Sequence, residues 1–354
     1  MKRQGNLWGR LTSFTNLIRA AEKASRGKRG QASVARFHFD LERELCRLQD
    51  ELRSKTYIPS GYRTFRIYEP KARLISAAPY RDRVVHHALC RVLEPIFEPA
   101  FIFDSYACRT GKGTHAAVER LISFARRNRY VLKGDISKYF PSIDHAILKA
   151  LVARKVKDPD VLWLVDLIID HSNPQEPALR WFAGDDLLAP LGRRRGLPIG
   201  NQTSQFLANV YLNPFDHFVK EGLRAQHYIR YVDDFILLSD DKGLLAEARD
   251  RCREYLESLR LRLHPHKSVI SRSQDGVRFL GYRVFPDHRL LARENITRMR
   301  RRLRRYQAAF AQGELSAAEV RRRLVGWIGH AQHARTFRLR ERLFGETRFV
   351  RGLG

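Results

Sequence analysis

The chain has 354 residues and a mass of 41.3 kDa, and 44% of its residues are hydrophobic, which excludes a wholly disordered protein. Its 66 lysine and arginine residues outnumber 38 aspartate and glutamate residues, so the formal net charge is +28. This excess predicts a polyanionic partner, because phosphate groups relieve the self-repulsion of a compact basic protein. Nucleic acid is the favoured partner, ahead of an anionic membrane surface.

No apolar run reaches the length of about 18 residues that a membrane-spanning helix needs. The first residues are basic but lack the apolar segment of a secretory signal. The four cysteines are scattered, without the spacing of a zinc site: Cys46, Cys90, Cys108 and Cys252. We therefore expect reduced, half-buried cysteines in a cytoplasmic protein that does not bind membranes.

Hydrophobic periodicity predicts helices and strands in mixed order, which is typical of an α+β protein. Helices are predicted over residues 11–55, 81–97, 113–127, 143–156, 160–171, 196–212 and 243–260, and from 294 onward. Strands are predicted as a basic hairpin over 62–77, a single strand over 130–135, a strand pair over 228–238 and a hairpin over 276–285. Residues 172–195 are expected to form a loop.

Two adjacent carboxylates, Asp233 and Asp234, lie at the centre of the apolar run 228–238. Buried in a strand, each would cost several kcal/mol unless a cation or a strong donor neutralised it. A tight hairpin with both acids at its tip meets this requirement if Mg²⁺ binds there, since Mg²⁺ takes few protein oxygen ligands and keeps water and phosphate ligands. An Asp-Asp turn in an ordinary hairpin is the alternative.

A third acid, Asp135, ends the predicted strand 130–135. A strand-end carboxylate and a hairpin pair can converge on two metal ions about 4 Å apart. One ion would activate a primer 3′-hydroxyl and the other would hold a triphosphate, a phosphoryl transfer that depends on positioning and charge neutralisation. The sequence therefore predicts a catalytic and metal-binding trio of Asp135, Asp233 and Asp234, with two Mg²⁺ or alternatively Mn²⁺.

Taken in order along residues 62–285, these segments resemble the reverse transcriptases. Residues 135–140 and 231–234 match two palm motifs of that family, and 279–282 look like its primer grip. The resemblance implies that Phe140 is a steric gate against the ribose 2′-hydroxyl and that Lys267 protonates the leaving pyrophosphate. It also implies that Arg73, with Lys71 beside it, contacts the incoming triphosphate. Taken singly, Phe140 could be a core residue, and Lys267 and Arg73 could be solvated charges.

The resemblance implies a right-hand polymerase with fingers, a palm of antiparallel sheet backed by helices, and a small helical thumb. We expect an N-terminal helical extension over 1–60, fingers over 61–134, a palm over 135–285 with an interleaved fingers segment at about 156–200, and a basic thumb over 286–354. Since the expected thumb reaches the last residue, removal of the RNA strand is expected to need another enzyme.

The segment 196–205 resembles the reverse transcriptases of diversity-generating retroelements, which are bacterial or phage-encoded. Ile199 stands where intron and retroviral relatives usually carry glutamine, and Ser204-Gln205 replaces Ser-Pro. The resemblance implies nucleotide contacts at Ile199, Gly200 and Gln205, and copying that is unfaithful at template adenines. It further implies a template RNA, a primer or cDNA, deoxynucleoside triphosphates and a small basic oligomeric accessory protein.

Arginines dominate the predicted helices of the tail, and acids hardly interleave with them. Such stripes can follow a phosphate backbone, or they can be a merely solvated basic face. The residues expected to bind nucleic acid are Arg298, Arg301, Arg302, Arg305 and Arg322. The alternatives to a diversity-generating enzyme are a retron, phage-defence or group II intron-like reverse transcriptase, or a catalytically idle RNA-binding relative.

Overall fold

The computed structural model describes residues 3–68, 72–173 and 180–351. The predicted nucleotide contact Lys71 lies outside these ranges. The first helices are α1 (Trp8–Leu11), α2 (Phe14–Ser25), α3 (Ala32–Phe39), α4 (Leu41–Arg53), α5 (Tyr80–Phe97), α6 (Thr114–Ala125), α7 (Tyr139–Ser142) and α8 (His145–Ala153). The later helices are α9 (Pro159–Asp170), α10 (Ala189–Gly192), α11 (Gln202–His217), α12 (Lys242–Ser258), α13 (Arg293–Ala311), α14 (Ala317–Gln332) and α15 (Phe337–Gly345).

The strands form antiparallel sheets, as expected for an α+β chain. They are β1 (Arg63–Ile67), β2 (Arg73–Ala77), β3 (Tyr130–Asp135), β4 (His227–Tyr231), β5 (Asp234–Ser239), β6 (Val269–Arg272), β7 (Val277–Phe279), β8 (Tyr282–Val284) and β9 (Arg289–Leu291). The central sheet has the order β4-β5-β3-β6, β1 pairs with β2, and β7, β8 and β9 form a third sheet. The predicted mixed class is thus confirmed.

The central sheet is covered on both faces because successive apolar side chains along its strands point to opposite faces. Leu132 and Leu237 pack into a core that is shared with helices of the N-terminal region, α8, α9, α11 and α12. Val131 and Ile236 pack into a second core that is shared with α6, the third sheet and the C-terminal helices. The strands β3 and β5 therefore lie at the centre of the molecule, which fixes the position of their ends.

Local signals in the sequence account for several helices. In α4, Leu45, Leu48 and Leu52 lie on one face and are fully buried, as the three- and four-residue spacing predicts. Two acids cap helices: Asp144 accepts from Ile147 N ahead of α8, and Asp241 accepts from two backbone N–H groups ahead of α12. No helix in the described parts of the chain is long and apolar enough to cross a membrane.

Some predicted boundaries were wrong. The helix predicted from residue 196 begins at Gln202, because Gly200 has a φ of 122° and Ile199 O accepts a hydrogen bond from Ser76 N at 2.9 Å, which keeps this segment extended along β2. The same helix continues to His217, past the predicted end at 212. The helix predicted over 143–156 covers only His145–Ala153, and the expected loop 172–195 contains the short α10.

Candidate active site

The three predicted carboxylates lie together at one end of the central sheet. Strand β3 ends at Asp135, whose partner in the antiparallel register is Asp234, the first residue of β5. Asp233 lies in the tight turn between β4 and β5, and its carbonyl oxygen accepts a hydrogen bond from Ile136 N at 3.1 Å. Val232 enters this turn with a φ of 56°, a left-handed conformation that is costly for a β-branched residue. The surrounding structure must hold this turn in place.

Burial and neighbouring negative charge disfavour the ionised forms of Asp233 and Asp234. Desolvation, followed by the neighbouring charge of Asp234, raises the pKa of Asp233 to about 6. Desolvation also raises the pKa of Asp234, although Lys133 opposes that shift. A bound cation would restore both carboxylates to their ionised form. The donors here are carboxylate oxygens, so the residues fit a hard divalent ion such as Mg²⁺.

Two lysine ammonium groups lie against the carboxylates. Lys267 Nζ is 2.5 Å from Asp135 Oδ2, and Lys133 Nζ is 3.5 Å from Asp234 Oδ1. Across residues 3–68, 72–173 and 180–351, no three acidic, histidine or cysteine side chains are grouped closely enough to hold a metal ion. The ammonium groups of Lys267 and Lys133 compete with a metal ion for these carboxylate oxygens.

A fully buried arginine supports the turn that carries Asp233. Arg230, in β4, donates from Nε and Nη2 to the two carboxylate oxygens of Asp216, at 2.7 Å each. Its Nη1 donates to Asn209 Oδ1 and to the Val232 carbonyl at 3.1 Å each, and Nη2 also donates to Ser105 Oγ at 3.1 Å. Since Asp216 and Asn209 belong to α11, this network ties the turn to that helix and holds Val232 in its left-handed conformation.

A cavity of about 650 Å³ opens in front of the carboxylates. It is lined by residues 72–74, 135–141, 199, 231–234, 264, 267 and 280. Four residues predicted from the sequence thus face the same space as the acids: Arg73, Phe140, Ile199 and Lys267. The charge of Arg73 opposes the upward pKa shift that burial and Asp234 cause at Asp233, which places Arg73 and Asp233 within electrostatic reach. Leu280, in the turn of the β7–β8 hairpin, brings the expected primer grip to the same cavity.

Two other predicted nucleotide contacts do not line this cavity. Gly200 approaches strand β2: a Cβ there would lie 3.1 Å from Ile75 Cγ2 and 3.6 Å from Ser76 O. Its φ of 122° and this close approach both favour glycine, and its nucleotide contact stays a prediction. Gln205 is exposed on α11, away from the cavity lining, and its nucleotide contact stays a prediction.

The predicted nucleic-acid-binding arginines lie on two helices that follow the third sheet. Arg298, Arg301, Arg302 and Arg305 belong to α13, and Arg322 belongs to α14. The two helices are joined where Trp327 Nε1 donates to Asn295 Oδ1 at 2.9 Å, so this tryptophan packs between helices. Arg301, Arg305 and Arg322 are exposed, and Arg298 and Arg302 are half-buried.

A comparison with known protein families identifies the family of this chain. The profile of the family described as Reverse transcriptase (RNA-dependent DNA polymerase) matches residues 67–284, more than half of the chain. This chain belongs to the reverse transcriptase family. The matched region includes β3 and the β4–β5 turn, which carry the three aspartates. Family membership confirms the predicted enzyme class, RNA-directed DNA polymerase, and agrees with a right-hand polymerase fold.

Relatives include group II intron-type reverse transcriptases. Protein YkfC of Escherichia coli (strain K12) is 31% identical over 284 residues, which cover 68% of this chain and 71% of that protein. Group II intron-encoded protein LtrA of Lactococcus lactis subsp. cremoris is 23% identical over 315 residues, which cover 69% of this chain and 50% of that protein. Apo telomerase from Candida tropicalis aligns with a TM-score of 0.47 at 13% identity, over 67% of this chain and 48% of that chain. The chain thus spans about half the length of the last two proteins.

Sequence reasoning missed the residues that support the acids from behind. Arg230 is adjacent to the recognised motif, and Asp216 lies in α11. A charged residue in the apolar run 228–238 was the available signal, because a buried arginine needs a buried acidic partner. Asp216 could not be identified as that partner from the sequence, because it lies fourteen positions before Arg230, in a different secondary-structure element.

Proposed function

We propose that this chain copies a template RNA into cDNA by phosphoryl transfer at Asp135, Asp233 and Asp234. The observation that carries the proposal is the β3–β5 register, which sets Asp135 opposite Asp234 with Asp233 adjacent, on the wall of an open cavity. Its substrates are deoxynucleoside triphosphates, a template RNA and a primer or growing cDNA. The catalytic centre needs no nucleophilic side chain, because the primer hydroxyl is the nucleophile.

The three carboxylates are the residues that would hold divalent metal, two Mg²⁺ ions or alternatively Mn²⁺. When bound, such ions neutralise charge on the triphosphate and activate the primer hydroxyl. The raised pKa of Asp233, caused first by burial and then by the charge of Asp234, supports this assignment because a bound cation would offset both effects. Lys267 pairs with Asp135 and lines the cavity; with Asp135 bound to metal, its ammonium group would be a proton donor for pyrophosphate.

The nucleotide lies in the cavity between the carboxylates and β2. Arg73 faces it from the fingers strand and binds the triphosphate, because a guanidinium group pairs well with phosphate oxygens. Phe140 lines the wall beside Asp135 and excludes a ribose 2′-hydroxyl. Lys71, Gly200 and Gln205 are proposed as further contacts on the strength of the family resemblance alone.

The proposed domain boundaries are those expected from the sequence. Residues 1–60 form a helical extension, 61–134 the fingers, 135–285 the palm with fingers residues at about 156–200, and 286–354 the thumb. The template–primer duplex runs from the cavity past Leu280 to the arginines of α13 and α14, whose guanidinium groups follow its phosphates.

The finer assignment is a diversity-generating retroelement enzyme that makes errors at template adenines. Ile199 supports it: this aliphatic side chain lines the cavity where a glutamine would offer a polar contact to the incoming nucleotide. Without that contact, a poorly shaped pair at adenine is held almost as well as a correct one. The template RNA and a small basic accessory protein would then be its partners. Group II intron-type relatives favour an intron-type reverse transcriptase as the second candidate.

Primer extension tests the polymerase assignment. Wild type should extend a DNA primer on an RNA template with Mg²⁺, and Asp233→Ala/Asp234→Ala should be inactive while it still binds RNA. The matched control is Glu254→Ala/Glu257→Ala, which removes two exposed acids from α12 and leaves the cavity intact. If wild type extends no better than the Asp233→Ala/Asp234→Ala variant, the chain is an idle RNA-binding relative.

Sequencing of the cDNA tests the finer assignment. Ile199→Gln should lower the error frequency at template adenines and leave errors at other bases nearly unchanged, while Ile199→Leu, which keeps an aliphatic side chain, should behave as wild type. The Ser76–Ile199 hydrogen bond uses backbone atoms, so both variants retain it. An unchanged adenine error frequency in Ile199→Gln would count against the role of this residue.

A further inference from the structure

A basic cleft of about 500 Å³ lies at the end of the central sheet that is opposite the catalytic carboxylates. Strand β3 begins at the cleft with Tyr130 and ends at Asp135, so the two sites are separated by about 17 Å along the strand at about 3.3 Å per residue. The walls come from the segment after α6, from the end of β6 with the turn that follows it, and from Asp240 and Pro286. The cleft shares no lining residue with the catalytic cavity.

Four exposed arginines line this cleft: Arg126, Arg127, Arg129 and Arg272. Arg126 Nε donates to the Pro286 carbonyl at 2.8 Å. The side chains of the other three make no hydrogen bond or ion pair with any residue in the described parts of the chain. The acid among the described lining residues, Asp240, accepts a hydrogen bond from the backbone N of Arg129 at 2.8 Å. The cleft therefore has a clear excess of positive charge.

Two further observations point to a ligand with acceptor oxygens. The hydroxyl of Ser273 lies buried in the cleft wall without a hydrogen-bond partner in the described part of the structure, which is uncommon in folded proteins. The positive field also reaches His227, whose pKa is lowered by burial first and then by the charges of Arg127 and Lys220. An anion in the cleft would relieve this field and accept from the hydroxyl.

We propose that the cleft is a second RNA-binding site, which holds backbone phosphates of the template RNA outside the polymerase centre. Guanidinium groups bind phosphate oxygens through paired N–H donors, and three of them without a protein partner suit a run of phosphates better than a single carboxylate. RNA is the fitting polyanion because template RNA is the substrate in the proposed function, on which this inference rests. The site would hold a folded template to the palm while another part of it is copied.

RNA binding by the full chain tests this site. The variant Arg127→Gln/Arg129→Gln/Arg272→Gln removes three cleft charges, and Arg19→Gln/Arg36→Gln/Arg43→Gln removes three exposed charges from α2, α3 and α4 as the matched control. The affinity for a long folded RNA is measured over a series of salt concentrations. Each lost phosphate contact lowers the slope of log affinity against log salt by about 0.7 to 0.9. We expect a decrease of about 2 for the cleft variant and a smaller one for the control.

Both variants should keep the wild-type melting temperature, because the substituted side chains are exposed. Both should also extend a short template–primer at the wild-type rate, since such a duplex does not reach the cleft. A wild-type salt slope in the cleft variant would overturn the proposal, and the cleft would then fit an acidic protein surface instead. An equal decrease of the salt slope in the control variant would overturn it as well. Binding is measured without catalysis, so an inactive wild type would count against the proposed function and not against this site.

Discussion

Replacement of Arg230 by lysine should loosen the catalytic turn while it keeps the buried positive charge. The guanidinium group makes five hydrogen bonds, to Asp216 twice and to Asn209, Val232 and Ser105 once each. An ammonium group donates three at most. Because the charge that faces Asp216 remains, the variant avoids the larger cost of an uncompensated buried carboxylate.

The size of the effect follows from the bonds that are lost. At least two hydrogen bonds from a charged donor disappear, and each contributes about 1.5 to 3 kcal/mol, so Arg230→Lys should reduce the free energy of unfolding by about 3 kcal/mol or more. A stability of about 5 to 15 kcal/mol leaves the variant folded at moderate temperature. Without a donor to its carbonyl, Val232 can leave its φ of 56° and displace Asp233. A displacement of about 1 Å costs on the order of 100-fold in rate.

Urea denaturation and single-turnover nucleotide incorporation measure the two effects. We expect a lower urea midpoint, a lower incorporation rate that needs more Mg²⁺ to saturate, and an unchanged affinity for template–primer. Arg43→Lys, on the exposed face of α4, is the control for the same chemical change. If Arg230→Lys lost stability but kept the wild-type rate and Mg²⁺ dependence, the turn would not depend on this network, and the positioning role would be refuted.

Two more substitutions test the site and the core. The pKa of Asp233 is raised to about 6 from an ordinary value near 3.8, so the carboxyl keeps its proton to a higher pH in the folded state than in the unfolded chain. Ionisation of Asp233 therefore destabilises the fold as the pH rises between these two values. In metal-free buffer, Asp233→Asn should therefore be more stable than wild type by up to about 3 kcal/mol at pH near 8, and no more stable at pH near 4. Thermal denaturation measures this difference, and equal melting temperatures of the two proteins at both pH values would contradict it. Gly134→Ala would place a Cβ 2.2 Å from Cζ of the buried Phe235, so its urea midpoint should fall by an amount equivalent to about 1 to 3 kcal/mol or more. Gly192→Ala, with no atom within 4 Å of the added Cβ, is its control, and equal midpoints for the two variants would show that the core accommodates the methyl group.

The parts of the fold that sequence could predict are those with a strong local pattern. The leucine spacing of α4 and the apolar strand that ends at Asp135 both define their elements without help from the rest of the chain. Strand β6 was not predicted, because its four residues are partly polar and Val269 is 54% exposed at the edge of the sheet. Its pairing with β3 comes from tertiary contact and not from local preference.

The candidate site shows the same division between local and non-local information. Asp233 and Asp234 could be located because two acids interrupt an apolar run. The lysine partners of the acids could not be assigned in advance, because Lys133 reaches Asp234 from strand β3 and Lys267 reaches Asp135 from a loop far along the chain. Gly200 could be singled out from the sequence, but its contact with β2 could not, because that strand precedes it by more than a hundred residues.

Incorporation of one deoxynucleotide opposite a defined RNA template is the most direct measurement of the central claim, that three clustered carboxylates carry out RNA-templated DNA synthesis. Wild type and Asp135→Asn are compared with saturating Mg²⁺, and the affinity of each for the template–primer is measured in parallel. We predict incorporation by wild type, a loss of at least about 100-fold in Asp135→Asn, and equal affinity for template–primer, since loss of one well-placed electrostatic group costs on the order of 100- to 1,000-fold in rate. Equal incorporation rates for the two proteins would contradict the account.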